Sequence, residues 1–236
     1  MAKKHCAIQL VVISAIVGIF GLGLSTLPAN SAETVTVFAA SSLTDSYTKL
    51  GRQFERVYPG TKVLFSFQAS STLITQIING APADILVSAE PFYGGSNYIT
   101  NRVVVAVPKN SEISKISDLD KVRWIQCAHE VPCGIAADSA LRDENVRSKP
   151  SSLEPKVTSV VSKLLAGEVD AAIIYLSDVL ANKDKLSSIE FSNKKAATNT
   201  YQIALLRKSR SSSAFMKFIQ SKAALRFLQS RGFETK

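Results

Sequence analysis

A chain of 236 residues that is 46% hydrophobic and 20% charged has the composition of a folded globular protein, one large domain or two small lobes, which excludes a disordered or low-complexity chain. Its formal charge of +9 invites a nucleic-acid or anionic-surface partner. The basic residues are scattered, however. Only Lys194-Lys195 and Arg207-Lys208-Ser209-Arg210 cluster, and no aromatic interleaving marks a binding stripe, so nucleic acid is set aside and a modest field that draws small anions is sufficient.

Residues 1–32 stand apart. Lys3, Lys4 and His5 precede an apolar run from about Ala7 to Leu27, followed by Pro28-Ala29-Asn30-Ser31-Ala32. This is the pattern of an export signal cleaved after Ser31 or Ala32. The run also approaches the ~20 residues that span a bilayer, so an uncleaved N-terminal anchor is the alternative. No cysteine lies just before the mature region, which argues against lipid attachment. Losing residues 1–32 removes two lysines and no acid, and the formal charge falls from +9 to +7.

The mature chain opens with Thr34-Val35-Thr36-Val37-Phe38-Ala39-Ala40, a buried strand, and Ser41-Ser42 then lead into Leu43, Tyr47, Leu50, Phe54 and Val57 at helical spacing. A helix N-terminus presents N–H groups without intrahelical partners and about half a positive charge, so serines there form an anion socket that needs no charged residue. The competing reading is that Ser41 or Ser42 is only an N-cap. The device recurs at once: Val63 to Phe67 alternates as a strand, and Gln68-Ala69-Ser70-Ser71-Thr72 leads into Leu73, Ile74, Ile77 and Ile78, stopped by Asn79-Gly80. Two such turns suit a doubly wound sheet that holds its ligand beyond the carboxyl ends of its strands.

Further on, Ala83 to Val87 reads as a buried strand and Phe92 to Arg102 as a loop, while Val103 to Pro108 reads as a strand crossing between two lobes. Ser117 is placed to cap a short helix over Asp118-Leu119. Trp124 to Cys127 forms a strand, and Val131-Pro132-Cys133-Gly134 introduces a helix to about Arg142. Pro155 precedes a helix carrying Val157, Val160, Val161, Leu164 and Leu165, closed by Gly167. Ala171 to Tyr175 is a strand whose terminal tyrosine faces the crevice or packs the core, with Ser177 able to cap the next turn. The chain returns through Ile189-Glu190-Phe191 and a second crossing strand, Tyr201 to Leu206. One final amphipathic helix carries Phe215, Phe218, Ile219, Leu225 and Leu228 to Gly232 and packs back on the first lobe.

Cys127 and Cys133 are separated by five residues. In an oxidising exterior they form a disulfide that pins the turn before Gly134; a metal site with His129 and a free buried pair are the alternatives, the former short of the four protein ligands of a structural zinc. His129 is the one histidine beyond residue 32. No Gly-x-Ser-x-Gly elbow, phosphate loop or dinucleotide glycine fingerprint accompanies it, which leaves a Ser/His hydrolase poorly supported.

The runs Val37-Phe38-Ala39-Ala40-Ser41-Ser42-Leu43-Thr44, Ser70-Ser71-Thr72-Leu73, Gly80-Ala81-Pro82-Ala83-Asp84, Ser88-Ala89, Val131-Pro132-Cys133-Gly134 and Ile174-Tyr175-Leu176-Ser177-Asp178 together resemble the molybdate-binding component of bacterial ABC transporters, in order across residues 34–236. The resemblance implies an α/β, type II periplasmic-binding-protein fold of two lobes joined by two crossing strands. The lobes then take 33–104 with 203–236, and 105–202. It implies an oxyanion, molybdate or tungstate, held by the hydroxyls of Ser42, Ser70 and Tyr175 and the backbone N–H groups of Cys133 and Val157, without arginine. It further implies no catalysis, no cofactor beyond that ligand, a permease partner, a monomer and a location outside the cytoplasm. Sulfate or another oxyanion is the rival ligand. One departure stands out: Glu90 to Arg102 is shorter than the helix-bearing stretch usual in that family.

Overall fold

The computed structural model describes residues 33–235, so the export segment lies outside the described residues. Among the described residues no helix is long and apolar enough to cross a membrane.

Three parallel strands build the first half of the sheet: β1 (Glu33–Ala40), β2 (Thr61–Gln68) and β3 (Ile85–Ser88). Val35, Val37 and Ala39 on one face of β1 are fully buried and Phe38 and Ala40 on the other are buried as well, as a central strand covered on both faces requires. After β1 a short 3-10 turn (Ser41–Leu43) runs into α1 (Thr44–Val57), and after β2 comes α2 (Ser70–Ile78). Helix α1 buries Tyr47, Leu50 and Phe54 on one face; Val57, which continues their spacing, is 64% exposed because the helix ends there and the chain turns away. The β1–β2 register sets Ala40 beside Gln68, so the two serine-rich helix openings leave the sheet side by side.

The stretch read as a loop after Phe92 is largely strand. A turn with Gly94 at φ +80° leads into β4 (Ser96–Pro108), which starts seven residues before the Val103 expected. Ser96, Asn97 and Asn101 break the apolar pattern because this half of β4 is held by pairing with β9 (Thr198–Leu205) through Ser96 to Arg102. The second half pairs with β7 (Ala171–Tyr175) through Val103 to Ala106 and with β8 (Leu186–Ile189). Strand β4 thus passes from one half of the sheet to the other. The strand order is β2-β1-β3-β9-β4-β7-β5-β6, where β5 is Trp124–Cys127 and β6 Leu153–Glu154; β10 (Glu234–Thr235) also pairs with β4.

Helices α3 (Pro132–Leu141), α4 (Val157–Leu165), α5 (Leu176–Ala181), α6 (Arg210–Ile219) and α7 (Lys222–Ser230) cover the sheet. One buried cluster runs from Val103 through Trp124, Val160 and Ile173 to Ala197; another joins Val35, Leu50 and Phe54 to Tyr201, Phe215 and Leu228. This is the α/β, two-lobed periplasmic-binding architecture expected, with the C-terminal helices on the first cluster of strands.

Local capping departs from expectation in three places. Ser117 lies inside a 3-10 turn (Ile116–Lys121) whose opening is held by Asp118, its carboxylate accepting from the Ser114 and Lys115 N–H groups. Ser177 is inside α5, where its hydroxyl accepts from the Asn101 amide at 2.8 Å, while Asp178 accepts from the Tyr175 N–H. In both turns a carboxylate at the third position takes the capping role. The single terminal helix is two, because the Ser221 hydroxyl accepts from Ala224 N–H and starts α7 afresh.

Candidate functional site

A cavity of about 20 Å3, room for one compact group, lies where the two halves of the sheet face one another. Each of the residues expected at an oxyanion site, Ser42, Ser70, Cys133, Val157 and Tyr175, lines it, and each is buried. The register of β1 against β2 brings Ser42 and Ser70 together; β7 and the openings of α3 and α4 supply Tyr175, Cys133 and Val157 from the opposite side.

Four of the helix openings at this cavity share one feature. The 3-10 turn at Ser41, α2, α3 and α4 have no side-chain cap, whereas α6 and α7, elsewhere, are capped by Ser209 and Ser221. Ser41 and Ser42 are therefore not N-caps. First-turn N–H groups have no intrahelical acceptor, so their dipoles and donors remain directed at the cavity.

The hydroxyls are arranged as donors. The Ser70 Oγ accepts from the Ala89 N–H at 3.0 Å, and the Tyr175 hydroxyl accepts from the Asn199 amide at 2.7 Å, so each has its own hydrogen left for a ligand. The Ser42 Oγ and the Tyr201 hydroxyl lie 2.7 Å apart. Burial pushes both tyrosines well above their ordinary pKa, which keeps the phenols protonated. Asn199 also donates to the Pro132 carbonyl at 2.8 Å and so ties β9 to the start of α3.

That start is shaped by a disulfide and a glycine. Cys127 and Cys133 are bonded, with Cα atoms 5.7 Å apart, so neither sulfur is a thiolate available to a metal. A Cβ on Gly134 would meet the Ala128 carbonyl oxygen at 1.9 Å; only glycine allows α3 to begin this close to the end of β5. His129 does not line the cavity. Its Nδ1 pairs with Asp138 at 2.6 Å on a side chain 58% exposed, so no serine of the site has a histidine to activate it.

Sequence reasoning missed three contributors. Tyr201 was read only as the start of a crossing strand, and Asn199 lies two residues before it, in the part of β9 (Thr198–Leu205) too polar to show a strand pattern. Lys156 was passed over because the socket was expected to need no charge. It immediately precedes α4 and is the one charged side chain lining the cavity.

Comparison with known proteins follows the same lines. The family model for bacterial extracellular solute-binding proteins matches residues 35–234. The molybdate-binding protein ModA of Mycobacterium tuberculosis is 31% identical over 225 residues, covering 87% of this chain and 86% of that protein. ModA of Haemophilus influenzae is 29% identical over 256 residues, covering 97% and 99%. The solved periplasmic molybdate-binding protein of Azotobacter vinelandii shares the fold, with a TM-score of 0.70 at 16% identity over 86% of this chain and 99% of its own. The matched family model and the identity to ModA over most of both chains agree with the fold, and the chain belongs to the bacterial extracellular solute-binding protein family, among its molybdate-binding ModA members.

Proposed function

We propose that this protein captures molybdate outside the cytoplasm and delivers it to the permease of an ABC-type importer. The observation that carries the reading is the cavity ringed by uncapped helix openings and by hydroxyls whose acceptor sides are already engaged. Such a lining offers hydrogens from all sides and suits a ligand that is an acceptor at every oxygen. The hydroxyls of Ser42, Ser70 and Tyr175 and the N–H groups of Cys133 and Val157 hold the oxyanion, each charge-assisted bond contributing about 1.5–3 kcal/mol. Residues 33–104 with 203–236 and residues 105–202 act as the closing lobes, with β4 and β9 between them.

The protein is a carrier and not an enzyme, needs no cofactor beyond its cargo, works as a monomer and does not engage nucleic acid. Its N-terminal 32 residues direct export and are either removed or kept as an anchor. Tungstate, with the same geometry and charge, shares the site.

Titrating the purified protein with molybdate, tungstate, sulfate and phosphate tests this. Phosphate carries a proton near neutral pH, and that hydrogen would face a donor, at about 1–3 kcal/mol for each mismatched group. Sulfate is smaller and leaves some donors short. Molybdate and tungstate should bind within about tenfold of each other and sulfate at least about 100-fold more weakly, ~2.7 kcal/mol. Equal or tighter sulfate binding would overturn the choice of ligand.

A further inference from the structure

We propose that Lys156 makes this socket selective for doubly charged over singly charged tetrahedral anions, with Gln68 holding its ammonium over the cavity. The inference rests on the cavity being the oxyanion site. Lys156 lines it, and no acidic side chain does. Its Nζ donates to the Gln68 Oε1 at 3.3 Å, reaching from the start of α4 to the end of β2, two elements on opposite sides of the cavity.

A neutral amide oxygen positions an ammonium without cancelling its charge. Lys163, on the same helix, is by contrast neutralised by pairing with Glu154. Among the described residues no ion pair includes Lys156, and a half-buried, unpaired ammonium at the rim of an anion cavity raises the local potential where the ligand sits. Hydroxyls and backbone N–H groups hold the acceptor oxygens by short-range dipoles, whose attraction to the anion falls off faster with distance than that of a full positive charge. A fixed ammonium adds a longer-range attraction proportional to ligand charge, and so widens the preference for the doubly charged ion. Gln68 therefore acts as a positioning residue and Lys156 as the charge sensor.

The experiment compares molybdate with perrhenate, a tetrahedral anion of single charge and similar size, on the wild-type protein and on Lys156→Met, Lys156→Arg and Gln68→Leu, by calorimetric titration at low and at moderate salt. Loss of a charged donor should weaken molybdate about tenfold or more in Lys156→Met, with perrhenate losing clearly less, so that the preference for the doubly charged ion narrows by about threefold or more. Lys156→Arg should retain the wild-type preference, and the salt dependence of molybdate binding should be shallower in Lys156→Met than in wild type. Gln68→Leu keeps the charge but frees it, and its preference should fall between the two. If wild type binds neither anion, the oxyanion reading itself fails. If wild type binds molybdate but Lys156→Met shows the wild-type preference, or loses both anions equally while Lys156→Arg does the same, Lys156 only packs the rim and this inference alone is overturned.

Discussion

Asn199 donates its side-chain amide to the Tyr175 hydroxyl at 2.7 Å and to the Pro132 carbonyl at 2.8 Å, so one residue of β9 orients the phenol and anchors the helix opening beside it. The phenol reaches the cavity with its acceptor side engaged and its hydrogen free. Tyr175→Phe should accordingly weaken molybdate binding by about 1.5–3 kcal/mol, tenfold or more, with little change in apo stability because Asn199 keeps Pro132. Asn199→Leu touches no ligand yet should also weaken binding, and should lower the melting temperature as well. Calorimetric titration and thermal unfolding of both variants separate the roles; wild-type affinity in Tyr175→Phe would reduce the tyrosine to core packing.

The Cys127–Cys133 bond closes a short loop that ends at the α3 opening. Opening it by Cys127→Ser with Cys133→Ser should cost about 2–3 kcal/mol, most of it through the unfolded chain. Thiol titration of the denatured, unreduced protein should detect no thiol from either residue. Two reactive thiols beyond Cys6 would contradict the pairing.

Gly134 is the point of closest approach between α3 and the turn before it. In Gly134→Ala the added carbon must displace the Ala128 carbonyl from 1.9 Å, and the Cys127 carbonyl lies 2.9 Å away on the same side. Neither is a flexible side chain. A loss of at least about 2 kcal/mol is expected, with the melting temperature down by several degrees and oxyanion affinity reduced through the displaced Cys133 N–H. An unchanged melting curve would show that the turn relaxes freely.

Burial pushes the Asp178 carboxyl up to about 8, and the nearby Asp45 acts in the same direction, while its bond from the Tyr175 N–H opposes the shift. The folded protein therefore holds a proton that the unfolded chain releases near pH 4. Between those values the native state binds more protons than the unfolded state, so this group's contribution to stability is full below about pH 4 and declines as pH rises towards 8. Asp178→Asn, which stays neutral and keeps an acceptor for Tyr175 N–H, should raise the melting temperature at pH 8 and leave it nearly unchanged at pH 4. A thermal unfolding series across this range checks it; equal shifts at both ends would remove titration as the cause.

Much of this protein could be read from local pattern. The buried strands at Val35 and Ile173, the helix after Pro132, the glycine stop at Gly167 and the paired serine turns follow from hydrophobic period, proline and glycine geometry and the needs of helix termini, all settled within a few residues. The residues Ser42, Ser70, Cys133, Val157 and Tyr175 are implied by the resemblance to the molybdate-binding family and not by local pattern, and the structure gathers them around one cavity.

Pairing across the sheet decided the rest. Ser96 to Arg102 carries no strand pattern of its own and is extended because β9 supplies its hydrogen bonds from about a hundred residues away. Ser41, Ser42 and Ser177 have the composition of caps, but each helix opening's neighbours, Tyr201 for Ser42 and Asn101 for Ser177, determine where the hydroxyl points. Asn199 and Lys156 become part of the site only because β9 and α4 arrive where they do. Sequence by itself determined most of the strands and helices and marked the serine-rich turns as candidates for an anion; tertiary structure alone decided which side chains aim the hydroxyls and place a positive charge at the rim, since those contacts join residues that share no local period and meet only when the two halves of the sheet come together.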